Sequence, residues 1–324
     1  MTRIATSRPG AAVVAVVLTA LVVGVGTAAV GVPSTGASPP TADGGVAHGT
    51  GHRPAASGGA YGPGGGSTGH AGGAEEAGVV ASTTFRTTVG GAASAFTHDV
   101  DALQQAVDSG NTTAARTDEL EAQAQYDALR YLTDAGTATS SPLDERPGDV
   151  PSGHHLAGLH LVERDLWVGG NAAPAVGPLV AAAPQLEVAL ERLQLSPRAI
   201  DLIAVQELGW VTSVAVPGLE EVYSHRDSID AEATVAAAQA AFQAVAPLGR
   251  LVTEGRTGTA ELRLLALGGA VQALGPPGAA PDRAIPQGQW RSVAEDADAA
   301  AAVLSELAPA LSGYGPRQIY GYNS

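Results

Sequence analysis

From about Thr83 onward, apolar positions recur at intervals of three and four residues, the period of a helix with one buried face. The pattern predicts helices near 83–108, 113–134, 154–168, 174–194, 197–214, 229–254, 257–274 and 288–312. Ser196-Pro197 and Ser228 before an acidic turn read as helix starts, and Gly110, Gly136 and Gly169 as stops. Alanine dominates the interiors, and no alternating run of β-branched residues argues for strands. The expectation is an all-α domain over 83–314, built by antiparallel bundle packing.

Upstream of Thr83 the pattern changes twice. Arg3 and Arg8 precede an uncharged apolar run from Ala11 to Val32, which reads as a secretory signal with a small-residue site at Thr27-Ala28-Ala29. The run is also long enough to span a bilayer, so an uncleaved N-terminal anchor is the alternative over 1–32. Either reading places the remainder outside the cytoplasmic membrane, secreted or tethered. Residues 33–82 are rich in Gly, Ser, Pro, Thr and Ala, the composition of a disordered tether. His48, His52 and His70 lie there, spaced as chance would space them and able to capture metal only loosely. Residues 315–324 read as a frayed tail.

Two helical segments place carboxylates on apolar faces. Leu156, Leu159, His160, Glu163, Leu166 and Trp167 share one arc of roughly 120°, with His160 and Glu163 side by side at its centre. In the segment from Ser196 to Val214, Glu207 sits among Ile200, Ile203, Ala204, Val211 and Val214. A carboxylate buried in such company is costly unless it is paired, protonated or bound to a cation. An imidazole beside a carboxylate is half of a site for a borderline divalent metal; the same spacing serves equally a buried His–Glu hydrogen bond. The loops 139–153 and 216–227 are long, polar and suited to carrying function.

Composition narrows the chemistry. The chain has no cysteine, hence no thiolate site, catalytic thiol or acylated lipoprotein anchor. All 17 basic residues are Arg, so no Schiff-base or phosphate-binding lysine exists. A formal net charge of −15 without a basic run disfavours nucleic acid and suits cations.

Three motifs occur in order: Asp144-x-Arg146-x-x-Asp149, then Gly158-x-His160-x-x-Glu163-x-x-Leu166-Trp167, then Glu220-x-x-Tyr223-Ser224-His225-x-Asp227. Together they resemble the imelysin-like family, specifically its EfeO/EfeM branch of extracytoplasmic iron-uptake proteins. The resemblance covers about 85–312 and implies a bilobal fold of two four-helix bundles. It implies binding of a divalent or ferric ion, iron first and zinc or manganese as alternatives. It also implies delivery to a membrane iron permease, with a haem peroxidase as a further partner in an EfeUOB-like system. The long form of EfeO carries an N-terminal cupredoxin domain; the tether stands in that place, as in the short EfeM-like form.

By that resemblance His160 and Glu163 are the leading metal ligands, with Asp144 or Asp149 closing the site and Glu207 and His225 at matching positions. The family's second helix reads R-x-x-Y-E-R-I-E-P, with its second Glu near the metal. Here the stretch is Gln123-Ala-Gln-Tyr126-Asp127-Ala-Leu-Arg130-Tyr, which puts Arg130 in place of that Glu. Asp127, one turn earlier on a stripe with Leu120, Ala124 and Tyr131, is the candidate substitute.

Other functions find less in the sequence. H-E-x-x-H is absent, and H-x-x-E-H fails at Arg164, which weighs against a metallopeptidase. The G-x-S-x-G match at Gly65–Gly69 falls in the Gly-rich segment with no strand signal before it, so it reads as no nucleophile elbow. Polysaccharide binding would want aromatic platforms, and 4% aromatic content supplies few. A structural helical protein with a degenerate site is the remaining alternative.

Overall fold

The structure, a computed structural model, describes residues 68–133, 143–150, 152, 154–275 and 282–316. The expected signal or anchor, nearly all of the tether with His48 and His52, the His70 side chain and most of the C-terminal tail lie outside the described residues.

Among the described residues the protein is an all-α bundle. Its helices are α1 (Thr68–Asp108), α2 (Thr112–Asp127), α3 (Arg130–Thr133), α4 (Leu159–Arg164), α5 (Ala173–Glu191), α6 (Pro197–Trp210), α7 (Asp227–Gln272) and α8 (Gln287–Leu307). The described residues contain one isolated bridge, Asp144 to Gly158, and no strand. α7 packs against α2, α6 and α8, while α4 packs against α2 and α5. One continuous apolar core runs through them, from Phe85 and Phe96 of α1 to Leu304 and Leu307 of α8. Phe96 meets Tyr126 of α2 with ring centroids 5.7 Å apart.

Local chemistry explains most boundaries. Gly110 takes φ +67°, and the Asn111 side chain then accepts the Ala114 N–H at 3.2 Å to start α2. The Ser196 hydroxyl accepts the Ala199 N–H at 3.3 Å, with Pro197 in the first turn of α6. α7 leaves helical geometry at Thr253 (φ −161°, ψ 71°), where the periodicity had divided 229–254 from 257–274.

Four boundaries differ from the sequence reading. α1 starts at Thr68, inside the segment read as tether, because Ala74 and Ala81 are buried and small residues suffice there. Gly78 comes so close to Tyr314 and Gly315 that a Cβ would overlap them. The second predicted helix is interrupted at Ala128–Leu129, between α2 and α3, and its expected stop at Gly136 lies outside the described residues. The third begins at Leu159 rather than 154, since Gly158 (φ +77°) breaks the helical run. Ser228 lies inside the first turn of α7, where Asp282 accepts both its N–H (2.7 Å) and its hydroxyl (2.6 Å).

Candidate metal centre

The site begins with a glycine. A side chain at Gly158 would come within 2.4 Å of the Leu143 carbonyl oxygen and 2.8 Å of the Asp144 nitrogen, so only glycine lets the two strands of backbone cross here. That crossing carries Asp144 to the first turn of α4. α4 turns His160 and Glu163 inward, both fully buried. His160 Nδ1 lies 3.3 Å from Glu163 Oε2. On the other side of the ring, Nε2 lies 3.0 Å from Asp144 Oδ1 and 3.5 Å from Glu220 Oε1. These two approaches have ion-pair distance but not hydrogen-bond alignment, and both Nε2 and Asp144 Oδ1 lack a hydrogen-bond partner.

The segment between α6 and α7 delivers two more carboxylates. Asp227 Oδ1 accepts the N–H groups of Glu220 (3.1 Å) and Glu221 (3.2 Å). Glu163 Oε1 accepts those of Tyr223 (2.8 Å) and Ser224 (2.7 Å). With its backbone held from both ends, the segment points Glu220 and Glu221 into the interior, where both are fully buried. The Ser224 hydroxyl donates to Glu221 Oε2. Two overlapping sets result, Asp144–His160–Glu220 and His160–Glu163–Glu221, each able to offer ligand atoms within 4.8 Å of one another.

Further acids surround these sets. Glu119 of α2 accepts the Trp167 indole N–H at 3.4 Å. Trp167 is placed by a π-helical turn at Asp165–Gly169, whose Leu166 carbonyl is gripped by Arg116 through Nε (3.0 Å) and Nη2 (2.7 Å). Asp127 pairs with Arg130 and accepts from Gln123 at 2.9 Å. The Arg130 guanidinium lies 3.6 Å over the Trp210 ring, and Glu207 and Asp230 complete the surroundings.

The electrostatics are one-sided. Among the described residues, buried Glu119, Asp127, Glu163, Glu207, Glu220, Glu221 and Asp230, with the nearly buried Asp144, face Arg130 and His160 as buried cations, and the half-exposed Arg146 reaches Glu220 at 3.9 Å. Burial pushes the carboxyls of Glu119 and Glu207 up to about 8, with neighbouring Glu163 adding to the first. Burial likewise raises Asp127 to about 6 despite Arg130, and lifts Glu221 and Asp230 well above the usual range. Burial alone would lower His160, but Asp144, then Glu163 and Glu220, hold it well above the ordinary imidazole value. Burial pushes Asp144 up, but His160, Arg130 and Arg146 together hold it below the usual carboxylate range.

Of the residues read from sequence, the structure brings Asp144, His160 and Glu163 together. Asp127 and Glu207 lie in the adjoining acidic region around Arg130 rather than at the imidazole. Asp127 shares its buried face with Glu119 and Gln123, not with Leu120, which is half-buried. Asp149 has a 59% exposed side chain paired with Arg146 at 2.7 Å, and His225 is exposed. Glu220, Glu221, Glu119 and Asp230 are buried site acids that the sequence reading does not single out. A signal existed for three of them: Glu220 and Glu221 stand in the third motif, and Glu119, Gln123 and Asp127 repeat every fourth residue along α2.

One imidazole among carboxylates is a donor set for borderline and hard cations, and the absence of cysteine leaves no soft thiolate. The fit to a cation rests on more than residue type. Within the two sets, His160 Nε2, Asp144 Oδ1, Glu220 Oε2 and Glu221 Oε1 are buried without hydrogen-bond partners, Glu220 Oε2 having Arg146 Nη1 at 3.9 Å, and a cation would satisfy acceptors that buried N–H groups do not reach.

Fold and site together describe an all-α bundle with a buried carboxylate–histidine centre. No family model matches the sequence. Over 141 residues the chain is 27% identical to the Bacillus subtilis (strain 168) protein named iron uptake system component EfeM. That stretch covers 42% of this chain and 36% of the relative, so the match spans little more than a third of the relative's length.

Proposed function

We propose that this protein is an extracytoplasmic metal-binding component of an iron-uptake system, holding one iron ion around His160 and passing it to a membrane permease. The observation that carries the reading is His160 itself: a buried ring with carboxylates at both nitrogens, inside an acidic interior short of positive charge. Similarity to a protein named as an iron-uptake component supports iron over other cations of the same donor preference. His160, Glu163, Asp144, Glu220 and Glu221 are the residues that would hold the ion. A haem peroxidase of the same system is the further partner, and the apolar run at 11–32 is the export signal or anchor. Neither set contains an activated nucleophile, and the reading assigns no catalysis.

Calorimetry with Fe(II) under anaerobic conditions, and with Mn(II) and Zn(II), tests the reading on the wild type, His160→Gln and Glu221→Gln. These variants leave the Glu163 bonds to Tyr223 and Ser224 in place, and circular dichroism checks their folding. The expected result is one equivalent bound by the wild type at micromolar or tighter Kd, weakened at least tenfold in each variant. Binding should also weaken as pH falls, because the proton on His160 competes with the ion. No binding by the wild type, or equal binding by all three proteins, overturns the reading.

A further inference from the structure

A positive charge already resides in this acidic interior. Arg130 is buried, with 8% of its surface exposed, and its guanidinium stacks 3.6 Å over the ring of Trp210. One face of the residue pairs with Asp127. Nη2 also lies 3.7 Å from Glu220 Oε1, the same oxygen that lies 3.5 Å from His160 Nε2. Glu220 thus stands between two positions. One is the His160 side, where the half-exposed Arg146 reaches Glu220 Oε2 at 3.9 Å but no guanidinium is buried. The other is the Arg130 side, where a cation is covalently attached to the chain. On that second side, Asp127 Oδ2 and Glu207 Oε2 are buried without hydrogen-bond partners, and Arg130 leaves Nε and Nη1 unbonded.

We propose that Arg130 is a resident cation that restricts this interior to a single metal ion by occupying a second cation position formed by Asp127, Glu207 and Glu220. The inference rests on the metal-binding reading above and adds what sets its stoichiometry. Paired metal sites commonly hold their ions roughly 3.5–4 Å apart with shared oxygen ligands, and Glu220 is placed as such a shared carboxylate. A guanidinium cannot vacate its position by losing a proton, unlike an amine. Its planar stacking on Trp210 fixes it in place. A second metal ion would have to share that volume with a fixed positive charge, and repulsion between them excludes it. Removing the charge while keeping a comparable side-chain length frees three carboxylates that then need a counter-ion.

The test titrates Mn(II) into the full chain as wild type, Arg130→Met and Arg130→Lys, reading stoichiometry by calorimetry and the ions by electron paramagnetic resonance. The expected result is one ion in the wild type and the Lys variant and two in the Met variant. The paired ions should lose the sharp six-line Mn(II) signal through exchange across Glu220. One ion in both the wild type and Arg130→Met overturns the inference and leaves the metal-binding reading standing. No ion in the wild type but binding in Arg130→Met sinks the reading and, with it, the single-ion inference. No binding in any of the three sinks both. If Arg130→Met does not fold alone, recovery of its helical circular dichroism on refolding with Mn(II) supports the proposal. Failure to fold with or without Mn(II) overturns it.

Discussion

The Ser224 amide donates to Glu163 Oε1 at 2.7 Å across 61 residues of sequence, and the Tyr223 amide shares the same oxygen at 2.8 Å. Glu163 is therefore both a ligand candidate, through Oε2, and the anchor of the segment that carries Glu220 and Glu221. Glu163→Ala should leave two amides without acceptors, at a cost of about 1–3 kcal/mol for each one that stays buried. Glu163→Gln keeps a carbonyl oxygen there and should cost much less. Urea denaturation of the metal-free proteins measures both, and equal losses would show that the segment is not held this way.

Gly158→Ala is expected to unseat Asp144. At φ 77° and ψ −156° the backbone lies in a region nearly reserved for glycine, which alone costs an alanine about 1–3 kcal/mol, and the new Cβ meets the Leu143 carbonyl and the Asp144 nitrogen inside contact distance. The variant should lose more stability than that backbone term and should bind metal more weakly than Asp149→Ala, whose carboxylate faces solvent and Arg146. Thermal melting and calorimetry on the two variants decide the order.

Stability of the metal-free protein should fall as pH rises. Burial raises Glu207 from 4.5 and Asp201 from 3.8, each to about 8 in the fold. The native state thus keeps protons that the unfolded chain releases, and the associated stability is complete below about pH 4 and lost through about pH 8. The raised His160 acts in the same direction above its ordinary 6.5. Tm should therefore be lower at pH 8.5 than at pH 5.5. Asp201 is buried with both oxygens unpartnered, so Asp201→Asn, neutral throughout, should shrink that difference. An unchanged slope in Asp201→Asn would count against its assignment.

Arg116→Ala should loosen the turn that presents Trp167. Arg116 holds the Leu166 carbonyl by two nitrogens and lies 4.8 Å over the Trp167 ring. Hydrogen bonds from charged groups contribute about 1.5–3 kcal/mol, and partial exposure puts the expected loss near the low end. Trp167 fluorescence should shift toward that of a solvent-exposed indole. Loss of stability without a spectral change would mean that the turn persists without Arg116.

Much of this protein was legible along the chain because helices are local. Apolar spacing placed α5, α6 and α8 and the division within α7, and an imidazole and a carboxylate three residues apart share a face whatever surrounds them. His160 and Glu163 could therefore be found without a fold. Asp144, Asp149, Glu207, His225 and Asp127 could be collected by pattern, but not ranked. Their ranking depends on contacts between distant segments. The backbone crossing at Gly158 brings Asp144 to the ring, while the Arg146 pair draws Asp149 outward to solvent.

Glu220 and Glu221 show the same limit most clearly. The third motif marks the stretch, but the local spacing of Glu-Glu-Val-Tyr-Ser does not say whether its two carboxylates are exposed or buried. Asp227 and Glu163, binding backbone amides from two other elements, turn them inward. Arg130 likewise reads along the chain as a lost ligand position, and in the fold it is a cation held on Trp210 amid acids. Sequence alone determined the helices and their polar stripes, since these depend on neighbours within a turn. The convergence of charge on one point came from packing, because burial and electrostatic attraction act through space between residues the chain keeps far apart.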